Sequence, residues 1–164
     1  MKSKMCKSQN KDSTLNKVKI NEIRISYIER NTTLNSKAIT GSVEARNLLF
    51  DNWDKNTIAL HETFKVLLLN NSNKVKGVYE LSNGGITGTL VDICILFAIV
   101  LKSLSVGIIV AHNHPSGSLK ASEADIQLTQ KIKTAATLLD VKVLDHVIIS
   151  PSGQFYSFAD NNML

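Results

Sequence analysis

Residues 111–125, AHNHPSGSLKASEAD, place two of the chain's four histidines one residue apart. In an extended segment, side chains at positions i and i+2 project to the same side, so His112 and His114 can direct their imidazoles at one point. Imidazole nitrogens and carboxylate oxygens bind Zn²⁺ at about 2.0–2.2 Å, and a catalytic zinc site usually combines three protein ligands with one open position. Asp125, expected one turn inside the next helix, can be the third ligand. The stretch therefore suits an open metal site.

The same residues also fit an ordinary helix start. Ser122-x-x-Asp125 resembles a capping box with Asp in place of Glu, and a carboxylate is favoured in the first turn of a helix. This alternative accounts for Ser122 and Asp125 without a metal, but it does not account for the His112-x-His114 pair. From spacing alone, the capped loop and the metal site are equally open.

The order of these residues resembles a known family. His112-x-His114, seven further residues and then Ser122-x-x-Asp125 is similar to the signature of JAMM (MPN-type) metalloproteases. The segment HNHPSG, together with LLDVKVLDHVII and YSFAD downstream, resembles the RadC-like branch of that family. The similarity runs from about Ile58 to the C-terminus, nearly two-thirds of the chain.

The resemblance implies one zinc ion per chain, held by His112, His114 and Asp125, with Ser122 beside the reacting centre. It also implies an upstream glutamate at the start of the first core strand, and that position falls on Glu62. In the implied mechanism, Glu62 is the general base for a zinc-activated water, and the Ser122 hydroxyl helps to stabilise the oxyanion. The implied activity is a zinc metallopeptidase that hydrolyses a peptide or isopeptide amide bond.

Taken by itself, Glu62 carries no such signal. A lone glutamate at a strand start is ordinarily an exposed residue, and HETFK is not the H-E-x-x-H motif because position 65 is Lys. Only the family's order of motifs singles it out. The alternative function, from a different class, is a non-catalytic accessory or DNA-repair-associated protein whose metal site is structural or vestigial. Ala121 stands where the family usually has proline, and this departure touches no ligand.

Hydrophobic periodicity indicates which elements position these residues. VGIIVA (106–111) predicts a central strand that leads directly into His112, and a helix begins at Ser122. The other expected elements are a strand in ETFKVLLLN, its antiparallel partner KVKGVYEL, a third strand ITGTL, a buried helix over 91–104, and a hairpin of VKVLDHVII and QFYSF. This order predicts an α/β (α+β) fold with a mixed central sheet flanked by helices. The resemblance specifies a JAMM/MPN-like, cytidine-deaminase-like architecture.

The upstream part of the chain has weaker patterns. SVEARNLLFDNWD predicts a helix with Ser42 as its N-cap, and KINEIRISYIER predicts an edge strand. We therefore expect a disordered basic tail at 1–18, a strand and helix extension at 19–57, and the RadC-like metal-binding domain at 58–164.

The net charge of +5 belongs to one end of the chain. Residues 1–20 hold six lysines and one aspartate, whereas residues 21–164 hold thirteen basic and thirteen acidic residues. Because a DNA-binding domain carries a basic face in its folded part, nucleic acid is not supported as a partner of the folded part, and a peptide or protein substrate is expected instead. Longer RadC-like proteins carry a helix-hairpin-helix segment with glycines at its turns; Gly41 is the only glycine before Gly77, so this segment is expected to be absent.

The location expected for the protein is the cytoplasm, with no membrane partner. No apolar signal segment follows the lysine-rich N-terminus, and the longest apolar stretch, at 93–101, is far shorter than the ~20 residues that span a bilayer. Cys6 and Cys94 are isolated thiols that fit a reducing compartment, and Cys94 is expected in the core.

The other two histidines are not expected to be metal ligands. His146, in LDHVII, is expected to be a hydrogen-bonded structural histidine rather than a ligand, with a supporting role for it or Asp145 left open. His61 is expected at the surface.

Overall fold

The computed structural model describes residues 38–84 and 90–164, which form three helices and five strands. In chain order these are α1 (Ser42–Asp51), β1 (Thr63–Leu69), β2 (Val75–Asn83), α2 (Ile93–Lys102), β3 (Gly107–Asn113), α3 (Glu123–Leu138), β4 (Lys142–Ile149) and β5 (Phe155–Ser157). The strands form one sheet in the order β2-β1-β3-β4-β5, in which β3 and β4 are parallel and the other neighbours are antiparallel. The predicted mixed sheet flanked by helices is confirmed.

Both faces of the sheet are covered, which explains why its central strands are apolar throughout. Every residue of β1 and of β3 is buried, as expected for strands that lie between two layers of side chains. Helix α1 packs on one face through Ala45 and Leu49. Helices α2 and α3 pack on the other face, where Phe97 and Ile132 join the core. The molecule is therefore a three-layer arrangement around a buried sheet.

The connection from β3 through α3 to β4 positions the residues of interest. It joins two adjacent parallel strands, and ligands of open α/β sheets bind beyond the carboxyl ends of such strands. Strand β1 runs antiparallel to β3, so its beginning lies at that same end, with Phe64 opposite His112. This register brings Glu62 and the histidine pair, fifty residues apart in sequence, to one edge of the sheet.

The start of α1 differs from the prediction. Its N-cap is Gly41 rather than Ser42, and no side chain caps the helix. Ser42 is the first helical residue, and its hydroxyl donates a hydrogen bond to the Asp160 carboxylate at 2.6 Å. The helix also ends at Asp51, and the next buried apolar residue, Trp53, packs into the core from beyond the helix.

Helix α2 is less buried than its composition suggests. Leu96, Phe97 and Val100 are buried, whereas Ile95 and Leu101 are each 48% exposed. The prediction that Cys94 lies in the core is wrong, because its side chain is exposed. A helix of ten residues lying on one face of a sheet buries a single stripe, and apolar residues elsewhere on it face solvent.

Two predicted strands lie wholly or mostly outside the residues that the structure describes. KINEIRISYIER lies outside the described residues, and of ITGTL only Leu90 is described, where it belongs to no strand. The strand, turn and return strand from Thr63 to Asn83, the central strand and the terminal hairpin are all confirmed. Within residues 38–84 and 90–164, no helix has the length and apolar character needed to cross a membrane.

Candidate metal centre

Three side chains converge just beyond the end of β3. His112 Nε2 lies 3.0 Å from His114 Nε2 and 3.3 Å from Asp125 Oδ1, and His114 Nε2 lies 3.8 Å from Asp125 Oδ2. Ligands about 2.05 Å from a tetrahedral zinc are about 3.3 Å from one another, so these separations match the edges of one coordination site. In the part of the chain that the structure describes, this is the one group of three or more such side chains that could hold a metal ion.

Asp125 also closes the capping box at the start of α3. Its Oδ2 accepts hydrogen bonds from the Ser122 backbone N–H at 2.7 Å and from the Ser122 hydroxyl at 2.6 Å, while the Asp125 N–H donates to Ser122 Oγ at 3.2 Å. The other carboxylate oxygen, Oδ1, faces His112. The capped helix and the convergent ligand set are therefore both present, and they share one carboxylate, whose Oδ1 is the oxygen nearer to His112 and whose Oδ2 accepts from Ser122.

The loop after β3 determines which nitrogen of His114 can bind a metal. His114 Nδ1 lies 2.8 Å from the carbonyl oxygen of Ser118. A carbonyl oxygen only accepts hydrogen bonds, so Nδ1 carries the hydrogen and the neutral ring has its lone pair on Nε2. Gly117, with φ +80°, turns this loop in a conformation that side chains rarely adopt. The lone pair of His114 thus faces the ligand cluster.

Burial keeps the second imidazole neutral. His112 is 2% exposed, and this burial lowers its pKa from 6.5 to about 4, against an opposing effect of the Asp125 carboxylate and with a further lowering by His114. A neutral imidazole is the form that binds a metal ion. The donor set of two imidazoles and one carboxylate fits a divalent cation such as Zn²⁺, as the sequence suggested.

His146 lies directly behind His112. Its Nε2 is 2.8 Å from His112 Nδ1, and its Nδ1 is 2.7 Å from the hydroxyl of Thr129. The ring is fully buried and stacks on Phe158 at 4.7 Å between centroids. Burial, and then the nearby His112 and His114, lower the pKa of His146 well below its ordinary value. Both ring nitrogens have partners, which agrees with the expected structural histidine.

Asp145 faces away from this centre. Its carboxylate accepts hydrogen bonds from the Ser157 hydroxyl at 2.7 Å and from the backbone N–H groups of Ala159 at 3.0 Å and His146 at 2.7 Å. Burial raises its pKa, and these hydrogen bonds oppose that rise. Asp145 therefore ties β4 to the end of β5 and does not contact the ligand cluster.

The ligand cluster lies on the floor of a cleft of about 590 Å³. Glu62, which is half-buried, and Ser122 line the same cleft. Its wall includes the apolar side chains of Phe64, Leu90, Val91 and Leu128, and Lys131 also lines it. All five residues singled out from the sequence are therefore brought to one cavity.

Asn113 holds the Glu62 segment against β3, a role that sequence reasoning missed. Its side-chain oxygen accepts from the Thr63 N–H at 2.7 Å, and its amide donates to the carbonyls of Ile58 at 2.7 Å and His61 at 2.9 Å. Asn113 is fully buried and points to the side opposite the histidines, as alternation along a strand requires. Two of its three partners flank Glu62 directly. His61, expected at the surface, is half-buried.

Comparison with known proteins identifies a family and several relatives. A family model described as RadC-like JAB domain matches residues 39–163. A UPF0758 protein of Flavobacterium johnsoniae is 53% identical over 103 residues, which cover 63% of this chain and 44% of that protein. UPF0758 proteins of Porphyromonas gingivalis and Verminephrobacter eiseniae are 46% identical over 103 residues and 43% identical over 104; each alignment covers 63% of this chain, and they cover 45% and 44% of those proteins. The chain spans less than half the length of these relatives.

Proposed function

The chain belongs to the RadC-like JAB domain family, and on this basis we propose that it is a zinc-dependent hydrolase that cleaves a peptide or isopeptide amide bond. The observation that carries the proposal is the shared cleft: His112, His114 and Asp125 converge on one point, and Glu62 lines the same cavity. A bound zinc would lower the pKa of a water molecule to about 7 and polarise a substrate carbonyl.

Glu62 is the group proposed to move protons. Its carboxylate would accept a proton from the attacking water and return it to the leaving amine, so that one residue acts first as general base and then as general acid. Its position beside the end of β3 comes from the antiparallel register of β1 and from the three hydrogen bonds of Asn113. The bonds of Asn113 to His61 and Thr63 hold the backbone on either side of Glu62.

Ser122 is proposed to stabilise the oxyanion that forms when the carbonyl is attacked. In the structure its hydroxyl donates to Asp125 Oδ2, so this role requires the hydroxyl to rotate toward the substrate. The Asp125 carboxylate keeps the Ser122 backbone N–H as a partner after that rotation. The cap of α3 therefore persists while the hydroxyl changes its acceptor.

The proposed substrate is a peptide or protein, in keeping with an open cleft whose wall carries Phe64, Val91 and Leu128. Such apolar side chains can bury those of an extended chain, while the metal and Glu62 act on its backbone or on an isopeptide bond. We place the reaction in the cytoplasm, which the isolated cysteines of the sequence support.

Metal analysis tests the proposal most directly. We expect protein purified without chelator to contain one zinc per chain by mass spectrometry, and the His112→Ala and Asp125→Asn variants to lose most of it. The matched control is His61→Ala, which alters a histidine outside the cluster and should keep its zinc. Wild-type protein that binds no zinc, even when zinc is added, would exclude the proposed reaction.

The second candidate is a non-catalytic accessory or DNA-repair-associated protein with a structural metal. It is favoured by one observation, the commitment of the Ser122 hydroxyl to Asp125. The two candidate functions differ in whether the zinc-loaded protein cleaves a substrate. If it cleaves no member of a broad peptide and isopeptide library, the accessory function is supported. Cleavage that is abolished by a chelator and restored by zinc would support the hydrolase.

A further inference from the structure

We propose that Thr129 and His146 are positioning residues that hold His112 in the one tautomer whose Nε2 lone pair faces the metal position. The inference rests on the proposed metal function of the cluster, and it concerns two residues that do not touch the metal position themselves. In a buried series of hydrogen bonds that ends at His112, each bond can run in one direction only.

The first hydrogen bond with a fixed direction is the one donated by the Thr129 hydroxyl. Thr129 Oγ1 lies 2.6 Å from the backbone oxygen of Asp125, one helical turn earlier, and 2.7 Å from His146 Nδ1. A carbonyl oxygen only accepts, and a hydroxyl has a single hydrogen. The hydroxyl therefore donates to Asp125 and accepts from His146, so the hydrogen of the neutral His146 ring is on Nδ1.

The hydrogen on His146 Nδ1 in turn determines the tautomer of His112. With its hydrogen on Nδ1, the neutral His146 ring has a lone pair on Nε2, which lies 2.8 Å from His112 Nδ1. His112 must then donate from Nδ1, and its own lone pair is left on Nε2. That nitrogen is 3.0 Å from His114 Nε2 and 3.3 Å from Asp125 Oδ1. The opposite tautomer would place an N–H where a metal ligand needs a lone pair.

Packing shields this series of hydrogen bonds from solvent. Thr129, His146 and His112 are 1%, 0% and 2% exposed. The rings of Phe64 and Phe158 stack on His112 and His146 with interplanar angles of 7° and 15°. Water therefore does not compete for these hydrogen bonds, and loss of one member changes the hydrogen-bonding state of the next.

The series of hydrogen bonds also starts and ends on one residue, Asp125. It runs from the Asp125 backbone oxygen through Thr129, His146 and His112 to the Asp125 carboxylate. The first turns of α3 and the ring of His112 are thus linked on two sides. A threonine at this position of α3 consequently controls the metal affinity of a histidine on a different element.

The matched variants are Thr129→Val, which removes the hydroxyl while keeping the shape, and Thr129→Ser, which keeps the hydroxyl. We expect Thr129→Val to weaken zinc binding by about 10–100-fold in a competition titration with a chromophoric chelator. Thr129→Ser should stay within about threefold of the wild type, because the donor and acceptor pattern is retained. Circular dichroism checks that each variant is folded.

A second measurement reports the tautomer itself. Long-range ¹H–¹⁵N correlation spectra of the metal-free protein should show hydrogen on Nδ1 of both His112 and His146 in the wild type and in Thr129→Ser. In Thr129→Val we expect the His112 signals to move toward the opposite tautomer, a change that a purely structural role of Thr129 would not produce.

The two measurements separate the possible failures. Hydrogen on Nε2 of His112 in the wild type would overturn the inference, as would a Thr129→Val variant with unchanged tautomers and unchanged zinc affinity. Wild-type protein without zinc affinity would instead refute the proposed metal function, while the spectra of the metal-free protein still test the hydrogen-bond direction. If Thr129→Val fails to fold, the wild-type and Thr129→Ser spectra decide.

Discussion

Glu62 and the metal ligands reach the cleft by separate routes, so they can be altered separately. His112 and His114 come from the end of β3 and Asp125 comes from α3, whereas Glu62 precedes β1. Glu62 and Asp125 are the two acidic side chains that line the described part of the cleft. Because Asp125 is bound by Ser122 and faces the histidines, Glu62 is the carboxylate to which the proposed mechanism assigns proton transfer.

The Glu62→Gln variant should therefore keep its zinc and lose hydrolysis. Removal of a general base lowers kcat by about 10²–10⁴-fold, while the amide has nearly the same shape as the carboxylate and leaves the ligands intact. Zinc content and kcat on a cleavable peptide would be measured together. Glu123→Gln, at the exposed start of α3, is the control and should retain both. Unchanged turnover in Glu62→Gln would remove Glu62 from the mechanism.

The buried histidines predict how stability depends on pH. His112 has a pKa of about 4 in the folded state against 6.5 ordinarily, and that of His146 is lowered in the same direction. Below about pH 6.5 the unfolded chain takes up protons that the folded protein does not, so the free energy of unfolding falls as the pH drops toward 4. For His112 alone the shift corresponds to about 3 kcal/mol.

Urea denaturation of the metal-free protein between pH 7.5 and 4.5 would measure this loss. The His146→Gln variant removes one of the two buried imidazoles, and we expect a smaller loss of stability over the same range. His61→Gln serves as the control with the wild-type slope. Equal slopes in all three proteins would contradict the assignment of the pH dependence to these histidines.

At the level of single residues, the sequence predicts those whose spacing forms a motif. His112, His114 and Asp125 lie within fourteen residues of one another, so local geometry places them together. Thr129 and Asn113 belong to no motif, because their roles depend on contacts across the sheet and with a segment some fifty residues away. For Thr129 one signal was available: it lies one turn after Asp125 on the same helix.

At the level of elements, the hydrogen bonds of the Asn113 side chain form a tie between β3 and the segment before β1. Its three hydrogen bonds join backbone groups of Ile58, His61 and Thr63 to the end of β3, and two of these bonds are buried. Leaving such groups unsatisfied costs about 1–3 kcal/mol. The same tie fixes the position of Glu62, so stability and catalysis should both depend on it.

We expect Asn113→Ala to lower the free energy of unfolding by about 2 kcal/mol or more and to lower kcat, while zinc content stays close to one per chain. Denaturant titration, turnover and metal analysis would be run on the same preparation. Asn71→Ala, an exposed residue of the turn between β1 and β2, is the matched control and should change the stability by less than about 0.5 kcal/mol. Wild-type kcat in Asn113→Ala would show that the tie does not position Glu62.

The predictability of the elements follows from how many of their contacts are local. Strands β1 and β3 were predicted because continuous apolar runs between turn residues identify buried strands. The buried face of α2 could not be predicted. Nine of its ten residues are apolar or cysteine, so periodicity does not show which side of the helix meets the sheet. The cap of α1 was misplaced by one residue because Ser42 has a partner, Asp160, from the far end of the chain.

At the scale of the whole molecule, charge is distributed unevenly along the chain. Residues 1–20 account for the net charge of +5, and the thirteen basic and thirteen acidic residues of 21–164 balance. Nucleic-acid affinity that arises from phosphate contacts falls steeply with salt concentration. Any such affinity of this protein should therefore depend on the first twenty residues.

Deletion of residues 1–20 tests this expectation. We expect weak, salt-dependent binding of duplex DNA by the full chain at low ionic strength and about a tenfold or greater loss in the shortened chain, measured by fluorescence anisotropy. Hydrolysis and zinc content should be unchanged by the deletion. DNA affinity that survives it would assign a nucleic-acid surface to residues 21–164 and would favour the accessory function.

The hydrogen bonds that already hold the three ligand side chains have a consequence for the kinetics of metal uptake. Ser122 already holds the carboxylate through Oδ2, and backbone or buried side-chain contacts orient both imidazoles. An incoming ion thus meets a site that needs no folding of a loop or helix end before coordination. Uptake should follow a single exponential whose rate rises in proportion to metal concentration, limited by loss of water from the ion rather than by motion of the protein.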